Sequence, residues 1–180
     1  MPIAINGSGT VTGISVGGLP DGIVDTDMIA AAAVTGPKKG VGSILQVVSA
    51  STTTTVSNTT TTFADTGLTA TISISAGSKV FIIMTQMLDV ERGGATEARC
   101  AVKLLRGSTD IYAPGNAKNI GIEGSSATNT LFLPLTYAFL DTGASTGSNT
   151  YKTQARVTTS GRIRTQDDSN PSTMTLLEIA

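Results

Sequence analysis

The chain has 180 residues, a formal charge of −1, 14% charged residues and 4% aromatics, with no histidine, no tryptophan and one cysteine. With no basic excess to neutralise phosphates, nucleic-acid binding lacks electrostatic support. The missing histidine removes Ser-His-Asp and Cys-His catalysis and the common zinc sites, and a lone cysteine cannot build a thiolate-rich metal centre.

The first segment, residues 1–40, reads as an anchoring arm. It is too rich in glycine to form a core and too apolar to be a solvated tail, so it is expected to become ordered on another surface. Pro20-Asp21-Gly22 is a turn signal. A single short helix is expected over 26–34, capped by Asp25 or Thr26, with Asp27 in its first turn and Gly36-Pro37 after its end. Such a helix is too short to be stable alone. The contact residues expected on the arm are Ile14, Val16, Leu19, Ile23, Val24, Met28 and Ile29. No basic stretch followed by an apolar run opens the chain, and no run of 18 apolar residues occurs, so neither a secretory leader nor a transmembrane helix is expected.

From Val41 the period becomes that of extended chain, and residues 41–180 read as one β-sandwich knob. Strands are expected over 43–50, 61–66, 68–75, 80–88, 97–105, 109–112, 131–140, 150–159, 162–164 and 172–179, separated by turn clusters such as Ala76-Gly77-Ser78 and Arg106-Gly107-Ser108. Many short strands at this spacing predict a sandwich or jelly roll. The Thr-rich tract over 51–62 reads as an exposed hairpin or edge strand. Within it Asn58-Thr59-Thr60 matches a glycosylation acceptor, a pattern of little weight without a leader.

Two strands differ from the rest. Val80-Phe81-Ile82-Ile83-Met84 is apolar on both faces, and so is Leu131-Phe132-Leu133-Pro134-Leu135. A strand of a two-layer sandwich has one outer face, so a doubly apolar strand needs a second cover, most simply a neighbouring subunit. Phe81, Ile83, Phe132, Leu133 and Leu135 are the expected subunit contacts. Pro134 removes a ladder donor and marks an edge or a bulge.

Chemistry is hard to place. Asp21, Asp25 and Asp27 are explained by a turn, a cap and a first-turn charge, and they lack the spacing of a calcium loop. Asp167-Asp168 reads as a solvated turn; a glycosidase pair would need a rigid cleft. Cys100 alternates with Val102 and Leu104 and reads as a small core residue. Arg92, Arg99, Arg106, Arg156, Arg162 and Arg164 are expected to pair with Glu91, Glu97, Glu123 and Asp110. No cofactor, no metal and no enzymatic activity are expected.

The segment from Gly7 to Thr35 resembles the N-terminal part of short virion proteins of tailed bacteriophages. The stretches Tyr137-Ala138-Phe139-Leu140-Asp141, Tyr151 to Arg156 and Ser172 to Ala180 resemble the jelly-roll knobs of phage fibres and head decorations, similar in outline to C1q/TNF-type trimers. The resemblance implies a homotrimer on a virion surface, which makes the five subunit contacts trimer contacts. It implies a capsid decoration or cement protein whose arm docks on the capsid or another virion protein. A short tail fibre contacting a host glycan or protein is the alternative it leaves open.

Overall fold

The computed structural model describes residues 40–94, 96–113, 120–124 and 129–180. The anchoring arm, its expected helix and the contacts Ile14, Val16, Leu19, Ile23, Val24, Met28 and Ile29 lie outside the described residues. The strands are β1 (Ile44–Thr52), β2 (Val56–Asn58), β3 (Ala64–Ile74), β4 (Lys79–Glu91), β5 (Glu97–Arg106), β6 (Thr109–Tyr112), β7 (Ile120–Glu123), β8 (Thr130–Asp141), β9 (Gly147–Val157), β10 (Arg162–Thr165) and β11 (Ser172–Ile179).

They form two antiparallel sheets. In the first, β11 lies between β1 and β4, while β8 pairs along the whole other side of β4. Strand β10 continues β11's side of β4 and carries β2. In the second sheet β9 lies between β3 and β5, and β6 and β7 share the far side of β5. The pairs β1–β11, β3–β9, β4–β8 and β5–β6 nest like one long hairpin folded over on itself. That is the jelly-roll form of a β-sandwich, the fold class expected from the sequence.

Period-2 alternation explains what fills the space between the sheets. Leu68, Ala70, Ile72 and Ile74 of β3 point inward with Cys100, Val102 and Leu104 of β5 and Tyr151, Ala155 and Val157 of β9. From the first sheet come Val80, Ile82, Met84, Leu88, Val90, Ile163, Met174 and Leu176. Fully burying one such large side chain contributes about 1.5–3 kcal/mol. Cys100 is a core residue, and burial pushes its thiol up to about 12, so it is a neutral thiol at pH 7.

Two strand expectations need correction, the break at Gly67 and the missed β7, while the edge-strand reading of the Thr tract holds at β2. The segments 61–66 and 68–75 form one strand, β3, whose register against β9 slips between Asp65 and Thr69. The bulge there centres on Gly67, at φ +82°. Strand β2 lies inside the Thr tract as a three-residue edge strand on β10. Strand β7 was passed over because its alternation, Ile120 and Ile122 inward, lasts only four residues. Asn58 makes a poor glycosylation acceptor. Its amide nitrogen donates to the carbonyls of Thr62 (2.8 Å) and Ala155 (3.0 Å), and the residue is nearly buried.

A buried polar relay crosses the core near the bulge. Thr66 and Thr153 hydroxyls lie 2.5 Å apart, Thr153 donates to Gln86 Oε1 (2.8 Å), and Gln86 Nε2 donates to Ser172 Oγ (2.8 Å). A satisfied buried network of this kind favours one strand register over its neighbours, because a slip would leave several polar atoms unpaired.

The seam between β1 and β3 is closed by Glu178. Its carboxylate accepts hydrogen bonds from Gln46 Nε2 (2.6 Å) and from the Ser75 N–H (2.7 Å). Burial alone would raise this carboxyl, but the hydrogen bonds from Gln46 and Ser75 outweigh it and hold the group below its ordinary 4.5. A depressed folded-state pKa means stability that is present above pH 4.5 and lost as pH falls through the folded value. The native protein is therefore expected to lose stability on acidification below about pH 4.5, and Glu178→Gln to lose less. Urea unfolding of both proteins at pH 7 and pH 3.5 checks this.

Candidate functional site

The two outer faces of the sandwich differ sharply. The outer face of the second sheet is polar and ion-paired. Asp65 accepts from Gln154 Nε2 (2.7 Å) and Lys152 Nζ (3.0 Å), and the Gln154 hydrogen bond, helped by Lys152, holds its carboxyl below the usual range against its partial burial. Lys103 pairs with Asp110 (2.8 Å), and Arg99 with Glu97 (2.8 Å) and Glu123 (2.5 Å). Lys103 Nζ and the Arg156 guanidinium lie 4.5 and 4.6 Å from the centroid of the Phe63 ring. This face has what solvated sheet surfaces have: charges that neutralise each other and stems that cover apolar rings.

The outer face of β1, β11, β4 and β8 is uncharged across its middle. Strand register places Val47, Leu177, Phe81 and Leu140 side by side in one row across all four strands. The next row is Ser49, Thr175, Ile83 and Ala138, and the next Ser51, Thr173, Thr85 and Thr136. Along β4 and β8 the apolar stripe continues as Met87 beside Pro134, then Phe132. Beyond Val47 it continues as Ile44 beside Ile179. Ile44, Val47, Ile83, Phe132 and Leu140 are all exposed large apolar side chains; among the described residues only Val41 and Tyr112 are others, and they lie elsewhere. Charge returns only at the ends. Lys79 sits at one, and at the other Arg162 pairs with Glu91 while Arg164 pairs with Asp89 and, at 3.1 Å, with Asp167. Burial raises the Asp89 carboxyl above its ordinary value, an effect that Arg164 partly offsets.

This geometry sorts the expected subunit contacts. Phe81, Ile83 and Phe132 point outward onto the uncharged face. Leu133 and Leu135 point the other way and pack, half-buried, against the core with Tyr137 and Phe139. The doubly apolar reading of β8 was sound, but a hydrophobicity pattern with no polar partner cannot say which alternate set faces in. Strand β8 is an edge strand among the described residues, with no register shift against β4, so of the edge and the bulge that Pro134 left open the edge is what is found. Sequence reasoning missed Ile44, Val47, Leu177 and Ile179, whose strands looked ordinary one at a time, and Leu140, which lies beyond the Leu131–Leu135 run of β8; only register puts them together.

The arginines are also sorted. Arg99 and Arg162 pair as expected, while Asp110 takes Lys103 instead. Arg106 pairs with Asp141 (2.5 Å), a carboxylate that also accepts from the buried Tyr151 hydroxyl (2.9 Å) and the Gly143 N–H (2.9 Å). Arg92 is fully buried and donates to the Gly124 carbonyl (2.7 Å), so it ties the β4–β5 turn to the segment after β7. The Asp167-Asp168 doublet forms a tight turn over Asp167–Ser169 in which Gln166, Asp168 and Ser169 have positive φ, and Asp167 is engaged by Arg164. A hollow of about 160 Å³ beside the β3 bulge, lined by Asp65, Gly67, Leu68, Thr69, Lys152 and Thr153, is below the roughly 300 Å³ at which small-molecule sites begin. A second, open hollow of about 360 Å³ is lined by Thr96, Glu97, Glu123 and Gly124.

No protein-family model matches the chain, and neither does any curated protein. Solved structures give distant likenesses. A chain of the IBDV viral particle matches at 12% identity and a TM-score of 0.36, over 77% of this chain and 36% of that one. A chain of particles derived from Infectious Bursal Virus matches at 13% identity and a TM-score of 0.32, over 77% and 37%. Dimeric latent PorU from Porphyromonas gingivalis matches at 6% identity and a TM-score of 0.32, over 78% and 13%. The matched region thus spans little more than a third of the two viral chains and a smaller part of PorU.

Proposed function

We propose that this chain is a structural protein of a virus particle, a homotrimeric jelly-roll knob that decorates or cements the capsid of a tailed bacteriophage through residues 1–40. The observation that carries an assembly role is the uncharged apolar outer face, which a free protein would leave in water. The arm supports it from the sequence side, since a segment unable to bury itself gains most by ordering on a partner. Its chemistry, small β-branched residues among glycines, suits strand addition or the filling of a groove between subunits. Three linked arms raise a weak single-arm affinity through effective concentration. On this reading the protein acts by binding other subunits and carries out no turnover.

Deletion of residues 1–35 tests the anchor. The truncated protein is expected to stay folded and soluble, because Gly40–Ala180 is a compact unit with a core of its own among the described residues. It is also expected to stop co-sedimenting with particles. Attachment by the truncated protein would refute the anchor, and a monomeric unmutated protein in light scattering would refute the trimer.

A further inference from the structure

We infer that the whole uncharged outer face of β1, β11, β4 and β8 is buried against second copies of this chain. The contact therefore extends past β4 and β8 to Val47, Leu177, Ile44 and Ile179. This rests on the self-association in the reading above and is independent of the virion assignment.

Area, charge and the form of the surface support it. Strand β4 covers the face for 13 residues, β8 for 12, β1 for 9 and β11 for 8. At about 3.4 Å per residue and about 4.8 Å per strand the whole face is roughly 700 Å² per copy, and roughly 600 Å² without its charged ends. That is close to the roughly 800 Å² per partner of a standard stable interface, and above what crystal-packing contacts reach. The three central rows carry no charged side chain, as the core of an interface does, and the ion pairs stand at the ends, as its rim does. Charge also names the occupant. The outer face of the second sheet carries Lys152, Arg156, Lys103 and Arg99 with their carboxylate partners, and docking it here would strip water from those ions with nothing to replace it. The same apolar face of another copy has no such cost. Rows of Ser and Thr hydroxyls, paired within the sheet as Ser49 with Thr175 (3.4 Å) and Thr85 with Thr136 (3.0 Å), already satisfy much of their own bonding and can be covered without leaving orphans.

The test uses the full chain. Val47→Asp and Leu140→Asp change exposed side chains that point away from the core, so each variant should keep the native circular dichroism spectrum. Each should raise the self-dissociation constant by about 100-fold or more, read by light scattering across a dilution series, because a carboxylate would be buried without a partner. Ser73→Asp, on the outer face of the second sheet, should leave the mass unchanged. If both face variants fold and keep the native mass, or if Ser73→Asp dissociates the protein equally, the inference fails. If the face variants keep the native mass but stop binding particles, the face belongs to another virion protein and the inference fails while the virion reading stands. Failure of the unmutated protein to bind particles, with the face variants dissociated, would reverse that outcome.

Discussion

Asp141→Ala is expected to cost the knob about 3 kcal/mol of unfolding free energy, a large share of the 5–15 kcal/mol that a domain has. Asp141 ends β8 and is almost buried, and three donors converge on it: Arg106 from β5, Tyr151 from β9 and the Gly143 N–H. It therefore joins the edge strand of one sheet to two central strands of the other. Alanine would leave the Tyr151 hydroxyl, which is fully buried, with no acceptor, and an arginine with no counter-charge. Arg106 keeps about a quarter of its side chain in solvent (23%), which places the estimate at the lower end of the usual range for a broken buried pair. Tyr151→Phe removes the donor and its need together, so it is expected to cost about 1 kcal/mol. Urea unfolding monitored by circular dichroism separates the two. A loss under 1 kcal/mol for Asp141→Ala would show that the carboxylate does not hold the two sheets together.

Gly161→Ala is expected to be as damaging, for a different reason. Gly161 lies in the turn between β9 and β10 at φ +122°, and a Cβ there would stand 2.4 Å from the Glu91 carbonyl oxygen and 2.9 Å from Ala98 Cβ. Neither neighbour can yield easily, since one is the end of the central strand β4 and the other is buried at the start of β5. Strain from the positive φ and from the clash adds to at least about 3 kcal/mol. Gly77 makes the control. It also has a positive φ, +81°, but open space around its Cβ position, so Gly77→Ala should cost only the conformational term of about 1 kcal/mol. Equal losses at both positions would mean that backbone conformation alone matters and that packing at Gly161 does not. A melting scan of the two variants decides this.

The same contrast between local and tertiary causes runs through the whole chain. Strands with one apolar and one polar set, such as β9, were legible because the alternation names both the element and its wet face. Pro134 marked an edge strand because a missing N–H is tolerated there. The Thr tract was legible as an exposed hairpin or edge strand, but the near-identical threonines gave no alternation to place the bounds of β2. The bulge at Gly67 was read as a break between two strands, since a glycine in a strand pattern signals either. Leu133 and Leu135 were grouped with Phe132 as subunit contacts, because both alternate sets of β8 are apolar and the pattern holds no sign of which set faces in.

By itself the sequence determined the class: a β-sandwich without histidine, with two strands too apolar for a single core. Composition and a period of two suffice for that, since both are properties of neighbours along the chain. Only the tertiary structure decided where the excess apolar surface lies. Nesting of β1–β11 around β4–β8 brings Val47, Leu177, Phe81 and Leu140, far apart in sequence, into one row, because strand register is set by long-range pairing and not by local pattern.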